Sequence, residues 1–383
     1  MGNIKYICEY ALPNGNVENR SHALSANDKI DYIVSALNKS GEHVDIISPS
    51  LTNDFKIYHS RKDKLTSLNT LFSGPGFPIR FGFISQIISK MWLMFFLIKN
   101  CKSNDVVVAY HGKFKIPFIL CAKMVCHFKL VLEVEEIYSD LNTQSNKKLQ
   151  HWLEMLIIKY ASAYIFASKQ LNENYNTKNK PYVIANGSYI AKPNLVSNND
   201  KNSEVINIVY AGLIKKDLVV FRCVDIAHYL SEKYAIHIIG YGDEKDITAL
   251  IEKIREVNDN TACHVSFDGI KRGKEYDEFL QSCDIGICPL NASYSYQKAC
   301  FPSKITSYLS NGLLVVTTEN EVIRESAYGS IVVFSKTQSA EDFADIIKQI
   351  DITEKRDARD LIRILDLEFI SNIRILIDRM RRE

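Results

Sequence analysis

The arrangement of apolar segments is what most constrains the fold of this 383-residue chain. Short runs rich in Val and Ile alternate with longer segments in which apolar residues recur at helical spacing, and the alternation occurs twice. A polar, Asn-rich segment without periodicity, 191–204, separates the two series. Strands that alternate with helices are typical of parallel sheets covered on both faces. The sequence therefore predicts an α/β fold with two Rossmann-like, doubly wound parallel sheets.

Predicted strands and helices follow this alternation along the chain. In the first half, the strands are 4–12, 43–50, 105–111, 129–136, 164–168 and 180–187, and the helices are 26–41, 114–128 and 149–163. In the second half, the strands are 205–212, 234–242, 263–269, 284–290 and 313–318, and the helices lie near 218–233, 245–257, 275–283 and from 301. Ligands of open parallel sheets bind outside the carboxyl ends of the strands, so we expect site residues there.

Charge and cysteine content restrict the partners. The net charge of +2 gives no overall field that would favour nucleic acid. The nine cysteines are scattered, and none has the spacing of a zinc site. They are interpreted as reduced thiols of a cytoplasmic protein, and the first residues lack the pattern of a secretory leader.

The longest apolar stretch, 81–100, has two interpretations. Its unbroken core, "MWLMFFLI", is too short to span a bilayer, which needs about 20 apolar residues. One interpretation is a helix buried in the protein core. The other is a helix in the membrane interface, with Lys90, Lys99 and Lys102 directed toward lipid headgroups.

The segment "FPSKITSYLSNGLLVVTT", 301–318, predicts a helix followed at once by a buried strand. Pro302 suits a first helical turn, Ser303 can cap its free amides, and Gly312 can end the helix. Free amides beside Lys304 form a natural phosphate cradle, although an ordinary capped helix with a surface lysine is the alternative.

Four segments of the second half, taken together, resemble a known family. They are "IVYAGLIKKD", "IHIIGYGDE", "VSFDGIKRGKEYDEFLQSCDIGICPL" and the 301–318 segment. In this order they resemble the C-terminal lobe of family-4 retaining glycosyltransferases with the GT-B fold. "NDKIDYIVSALNKSGEHVDIISPS" and "VIANGSY" resemble the first lobe more weakly, and "LEVEEIYSD" resembles members that assemble bacterial surface polysaccharides.

The resemblance implies a domain organisation. The GT-B fold has two Rossmann-like domains that face each other across a cleft. We expect an N-terminal acceptor-binding domain at 1–190, a linker at 191–204 and a C-terminal nucleotide-sugar-binding domain at 205–366. The amphipathic tail 367–383 would form a last helix that packs back on the first domain.

The resemblance also implies donor-binding residues. Gly212 would let the backbone approach the diphosphate, and Lys215, Lys216, Ser303 and Lys304 would bind its phosphates. The sugar-bordering loop would contain Gly240 and Gly242, and Ile270 would contact the base. Tight turns at the glycines and a solvated lysine pair are the alternative interpretations.

The chain departs from the family at two positions. The family commonly has two glutamates eight positions apart, whose places are taken here by Ala299 and Ser307. The Ser307 hydroxyl can still form a hydrogen bond with one ribose oxygen, but it cannot accept from two ribose hydroxyls as the two oxygens of a carboxylate can. This departure concerns donor binding and not the fold.

Candidate catalytic residues of the first half lie at the ends of two predicted strands. Strand alternation directs Glu133 and Glu135 to one side and Glu136 to the other. Carboxylates at the carboxyl end of a strand could accept a proton from an acceptor hydroxyl or stabilise positive charge at the sugar. His111 ends another strand in an analogous place. Salt bridges at a strand edge and a satisfied core histidine are the alternatives. Gly15, in the first strand–helix loop, is a candidate diphosphate contact by resemblance.

The leading hypothesis is a retaining glycosyltransferase that needs no metal cofactor and uses a nucleotide-diphosphate sugar as co-substrate. Its acceptor would be a saccharide or a lipid-linked saccharide in capsule or O-antigen synthesis, with peripheral contact at the inner face of the cell membrane. Two alternatives are a nucleotide-sugar epimerase or hydrolase on the same fold, and a non-catalytic partner subunit.

Overall fold

A computed structural model describes residues 3–12, 18–22, 24–137, 147–196, 205–215, 219–290, 299–352 and 357–383. The chain divides into two compact units. Unit 1 comprises Met1–Ser188 and Asp366–Glu383, and unit 2 comprises Tyr189–Leu365.

Unit 1 is built on an eight-stranded sheet with the order β3-β4-β2-β1-β5-β6-β7-β8. Its strands are β1 (Asn3–Ile7), β2 (His43–Ser48), β3 (Arg61–Lys64), β4 (Asn69–Ser73), β5 (Val106–Tyr110), β6 (Lys129–Val134), β7 (Ala163–Phe166) and β8 (Tyr182–Ile184). Its helices are α1 (Leu24–Lys39), α2 (Phe83–Asn100), α3 (Ile116–Cys126), α4 (Lys147–Tyr160) and α5 (Lys169–Tyr175). All neighbouring strands are parallel except β3 and β4.

The strand order of unit 1 reverses at β1. From β1 the chain adds β2 and β4 on one side, and it then crosses to add β5 and β6 on the other. Ile4 of β1 is in register with Val44 of β2 and with Val106 of β5. A parallel sheet opens a crevice at such a reversal, so the residues that follow β1 and β5 lie where ligands bind.

The last helix, α12 (Arg359–Arg382), packs on α1 of unit 1. The ring of Phe369 lies 5.5 Å from that of Tyr32. Arg381 donates two hydrogen bonds of 2.6 Å to the carboxylate of Glu42, which is a paired geometry that Lys could not reproduce.

Unit 2 has six parallel strands in the order β11-β10-β9-β12-β13-β14. The strands are β9 (Ile206–Ile214), β10 (Tyr234–Gly242), β11 (His264–Phe267), β12 (Ile285–Cys288), β13 (Leu314–Thr318) and β14 (Val333–Ser335). The helices are α6 (Val220–Asp225), α7 (Glu244–Asn258), α8 (Gly273–Ser282), α9 (Ser303–Ser310), α10 (Glu321–Arg324) and α11 (Ala340–Gln349). The order reverses between β9 and β12, which is the doubly wound arrangement.

The two strands at this reversal separate soon after they pair. β9 and β12 are in register only at Ile208–Ile285 and Val209–Gly286. Beyond that point the hydroxyl of Tyr308, from α9, accepts a hydrogen bond of 2.8 Å from the backbone N–H of Ala211. The Tyr308 ring lies directly against Gly286, where any side chain would collide with it. Tyr308 therefore fixes α9 at the crevice between the two strands.

The structure confirms the predicted fold class and differs in detail. The hairpin β3–β4 was not predicted, because its strands "RKDK" and "NTLFS" lack a continuous apolar run. β9 extends to Ile214, since its last residues pair with β10, and β6 ends at Val134. The predicted helix near 218–233 is in fact the six-residue α6 followed by a short 3₁₀ turn.

We predict that Tyr308→Phe destabilises unit 2, because the N–H of Ala211 would be left buried without an acceptor. Such a loss costs about 1–3 kcal/mol. Urea unfolding followed by fluorescence measures it, with Tyr229→Phe at an exposed tyrosine of the same unit as the control. Equal unfolding free energies for the two variants would show that the Tyr308 hydroxyl does not hold α9 in place.

Candidate functional site

Lys304 and Gly212 meet at the crevice of unit 2. A side chain at position 212 would come within 2.6 Å of both Cε and Nζ of Lys304. The Nζ atom lies 4.0 Å from the centroid of the Tyr210 ring, which is a cation–π contact. The sequence had suggested that Gly212 lies at a strand end, but Gly212 lies inside β9. In this structure, the absence of a side chain at Gly212 makes room for the lysine.

Lys304 is half-buried and not the surface lysine of the alternative interpretation. Burial lowers the pKa of Lys304, but Tyr210 and Cys288 more than offset this, and the pKa is raised. The ammonium is therefore charged at neutral pH. In the described ranges, no carboxylate forms an ion pair with it, so the charge is available to an anion.

The N-terminus of α9 presents free amides beside this lysine. Pro302 is the residue before the first helical residue, and no side chain caps the helix. The expectation that Ser303 caps the helix is wrong, because Ser303 is itself the first helical residue and is exposed. The first turn also contains no acidic residue. An uncapped helix N-terminus without acids favours a bound anion.

Other predicted donor residues lie around the same strand ends. The Ser307 hydroxyl lies 3.1 Å from the hydroxyl of Tyr276 on α8. Ile270 is exposed and follows a turn at Gly269, which has a φ of +76°. Lys215 is exposed directly after β9. Lys216 lies outside the described residues.

The glycines of the predicted sugar loop are explained by the sheet itself. Gly240 has a φ of +153°, and a side chain there would collide with the carbonyl oxygen of Gly212 on β9. A side chain at Gly242 would likewise collide with the carbonyl oxygen of Ile214. Both glycines are thus required where β9 and β10 pair, whether or not a sugar lies beside them.

Three carboxylates lie at the end of β6 in unit 1. Glu133 is in the strand, is fully buried and accepts a hydrogen bond from the hydroxyl of Tyr6. Glu135 and Glu136 come after the strand ends, so the expected alternation of sides does not apply to them. Glu135 lies 3.4 Å from Nζ of Lys29, a buried lysine of α1.

Two of these carboxyl groups titrate near neutral pH. Burial, with a further contribution from Glu135, raises the pKa of Glu133 to about 8. Burial, together with Glu135 and Glu154, raises the pKa of Glu136 to about 7. A carboxyl group with such a pKa can release and accept a proton under physiological conditions.

His111 follows β5 and is buried, and its backbone N–H donates to the carbonyl of Glu133 at 3.0 Å. Burial, with repulsion from Lys115, lowers the pKa of His111 to about 3. The imidazole is therefore neutral at pH 7 and a weak proton acceptor. Among the predicted catalytic residues, Glu136 is better suited to be a base.

Two buried lysines near these residues were missed from the sequence. Lys115 is only 3% exposed, and no described residue accepts a hydrogen bond from its Nζ. Burial lowers the pKa of Lys115, although Glu9 opposes the effect. Lys29 donates to the carbonyls of Ala185 at 2.7 Å and Gly187 at 3.3 Å. The sequence signal available for Lys29 was its place directly before Ile30 in a predicted amphipathic helix.

Gly15, the predicted diphosphate contact in the first strand–helix loop, lies outside the described residues.

Comparison with known proteins finds a family match within unit 2. Residues 205–350 match the family model described as "Glycosyl transferases group 1". No curated protein matches the sequence. The match lies within unit 2, and the prediction of an enzyme of the glycosyltransferase class is confirmed.

Solved structures match the whole chain in fold. The sucrose-phosphate synthase of Thermosynechococcus elongatus matches with a TM-score of 0.73 and 14% identity, over 100% of this chain and 98% of that one. An E. coli structure described as trehalose-6-phosphate bound with UDP-2-fluoro glucose has a TM-score of 0.70 and 9% identity, over 100% of this chain and 99% of that one. A Burkholderia xenovorans α,α-trehalose-phosphate synthase in complex with glucose-6-phosphate has a TM-score of 0.70 and 10% identity, over 100% of this chain and 100% of that one. At these identities the similarity shows the fold, which is of the predicted GT-B type.

Neither a membrane span nor a metal cluster is found in the part of the chain that was searched. No described helix combines the length and the apolar character needed to cross a bilayer. The same residues contain no group of three His, Cys, Asp or Glu side chains that could hold a metal ion. Metal-independent catalysis stays a prediction.

We predict that Glu133→Gln flattens the pH dependence of stability. The folded protein keeps a proton on Glu133 up to about pH 8, whereas the unfolded chain releases it near pH 4.3. Wild-type stability therefore falls between these values as the pH rises. Glutamine keeps an acceptor for Tyr6 and cannot ionise, so the variant should lose less stability.

Thermal melts at pH 5 and pH 8 measure this difference. Glu368→Gln, at an exposed glutamate of the same unit, is the control and should behave as wild type. A Glu133→Gln variant whose melting temperature changes with pH as much as that of wild type would show that Glu133 is ionised in the fold.

Proposed function

We propose that this protein is a retaining glycosyltransferase that transfers a sugar from a nucleoside-diphosphate sugar to a saccharide or lipid-linked acceptor in surface-polysaccharide synthesis. The observation that carries the proposal is the half-buried, charged Lys304, which has no carboxylate partner in the described ranges and lies at the uncapped N-terminus of α9. Unit 2 would bind the donor, and unit 1 the acceptor.

In this reaction the bond between the anomeric carbon and the phosphate oxygen breaks, and negative charge develops on the departing nucleoside diphosphate. The acceptor oxygen bonds to the anomeric carbon and gives up its proton. Lys304 and the first amides of α9 would stabilise the departing diphosphate, because positive charge fixed in advance lowers the barrier for such a step. This arrangement supplies the positive charge without a metal ion.

The remaining roles follow from position. Ser307 would bond a ribose oxygen, together with Tyr276, in place of the family carboxylates absent at Ala299 and Ser307. Lys215, directly after β9, would approach the phosphates. The exposed Ile270 would contact the base, and Gly240 and Gly242 would border the sugar.

In unit 1, Glu136 is the proposed base, because its pKa of about 7 suits proton acceptance near neutral pH. Glu135 would hold Lys29 and raise the pKa of Glu136, while the neutral His111 would donate or accept a hydrogen bond. The acceptor would be lipid-linked, and the enzyme would work at the cytoplasmic face of the membrane.

We predict that nucleoside diphosphates stabilise the protein in the presence of EDTA and that Lys304→Met abolishes this stabilisation. Transfer should fall by about 10²-fold or more, because the lost charge acts mainly in the transition state. Thermal-shift titrations with uridine, guanosine and cytidine diphosphates measure binding, and release of the nucleoside diphosphate measures transfer. Lys304→Arg should retain part of both.

The matched control is Lys274→Met. Lys274 is the second residue of α8, as Lys304 is of α9, but it is exposed and pairs with Glu278 at 2.8 Å. It should bind nucleotide as wild type does. Stabilisation that requires added Mg²⁺ or Mn²⁺ would contradict the metal-independent mechanism. Nucleotide binding that survives Lys304→Met would remove Lys304 from the site.

A further inference from the structure

Helix α2 has its polarity reversed relative to an ordinary surface helix. Its buried residues include Ser85, Ser89 and Lys90 together with two leucines. Its exposed residues include four large apolar side chains at successive helical turns: Ile84, Ile88, Met91 and Phe95. A surface helix normally buries its apolar side chains and exposes its polar ones.

The three buried polar residues Ser85, Ser89 and Lys90 all form hydrogen bonds. Ser85 donates to the carbonyl of Pro78 at 2.7 Å, and Ser89 donates to that of Pro49 at 2.6 Å. Lys90 donates to the same Pro49 carbonyl at 2.9 Å and to Glu9 at 3.0 Å. In the membrane-interface interpretation of this segment, the direction of Lys90 toward lipid headgroups is therefore wrong. These contacts also fix the rotation of the helix, so the apolar stripe is held outward.

The elements next to α2 add further exposed apolar side chains to this surface. Helix α3 packs beside α2, with the thiol of Cys126 3.6 Å from the carbonyl of Ile98, and α4 packs beside α3. The 3₁₀ turn before α2 also exposes an aromatic side chain. The exposed members of this surface, which we call the α2–α4 face, are Phe81, Phe83, Ile84, Ile88, Met91, Phe95, Met124, Val125, Leu149 and Trp152.

The α2–α4 face is basic as well as apolar. Residues 64–132 contain nine Lys and Arg but one acidic residue, Asp105. Lys90 and Lys115 of this set are buried, whereas Lys99 and Lys102, at and just after the end of α2, are exposed. The three helices α2, α3 and α4 contain a single acid, Glu154, and it is buried. By contrast, the packed pair of helices elsewhere on this unit has two acids in α1 and three in the part of α12 that belongs to the unit. The lack of acids is thus a local property of this face.

We propose that the α2–α4 face binds the surface of a membrane that contains anionic lipids. Large exposed apolar patches mark interaction sites, and apolar side chains flanked by lysines insert into the boundary of headgroups and acyl chains. Exposed Lys99 and Lys102 would be attracted to anionic headgroups, and Trp152 suits the interface. A second copy of this face is a poor partner, since it would oppose lysines to lysines. The inference rests on the proposed lipid-linked acceptor, whose membrane it would bring to unit 1.

Vesicle sedimentation tests the proposal with the whole protein and no nucleotide. We expect binding to vesicles of 30% phosphatidylglycerol in phosphatidylcholine, weaker binding to pure phosphatidylcholine, and weakening with added salt. The variant I84Q/F95Q should lower the partition coefficient at least tenfold. The control L367Q/I375Q removes two equally exposed apolar side chains from α12 and should bind as wild type.

Three results would overturn the proposal. They are equal binding by I84Q/F95Q and wild type, equal binding to neutral and anionic vesicles, and self-association without vesicles that I84Q/F95Q abolishes. Because the assay involves no donor, failure of the nucleotide test with Lys304→Met leaves the vesicle result unaffected. The two failures are therefore distinguishable.

Discussion

The contact between Lys304 and Gly212 is the constraint on which the proposed donor site depends. The lysine comes from the start of α9 and the glycine from β9, and the two meet only because β9 and β12 separate after Val209 and Gly286. Tyr308 fills that separation and fixes α9, so the position of the ammonium follows from the fold. A charged group held in this way needs little reorganisation when negative charge develops beside it.

In unit 1, burial is what determines the properties of the ionisable groups. Glu133 is fully buried and has Tyr6 as its hydrogen-bond donor, and its pKa is raised to about 8. Lys115 is buried nearby without a hydrogen-bond acceptor among the described residues. Such groups cost folding free energy, and perturbed groups of this kind cluster at functional sites. The end of β6 is therefore where chemistry in unit 1 is most reasonably sought.

Local patterns in the sequence predicted much of the fold. The β-branched run of β13 and the amphipathic spacing of α1 are properties of short segments, and both elements were predicted correctly. The hairpin β3–β4 was missed because a charged edge strand such as "RKDK" has no apolar signal. The burial of Lys90 was also missed, since it depends on Glu9 and the carbonyl of Pro49, which are distant in sequence.

The candidate site was only partly predictable for the same reason. Lys304 was singled out from its position at a helix start, but its packing on Gly212 joins two segments that no local pattern connects. Ser303 was misassigned as a cap because helix boundaries shift by a residue or two. Lys29 and Lys115 have no motif, and only the packed structure identifies them as buried cations.

The most direct measurement is a crystal structure of the protein with uridine diphosphate. The account predicts that a phosphate oxygen lies within about 3.2 Å of Nζ of Lys304 and that the first amides of α9 point at the same phosphate. A nucleotide bound elsewhere in unit 2, with the Lys304 ammonium still lying on the Tyr210 ring, would contradict it.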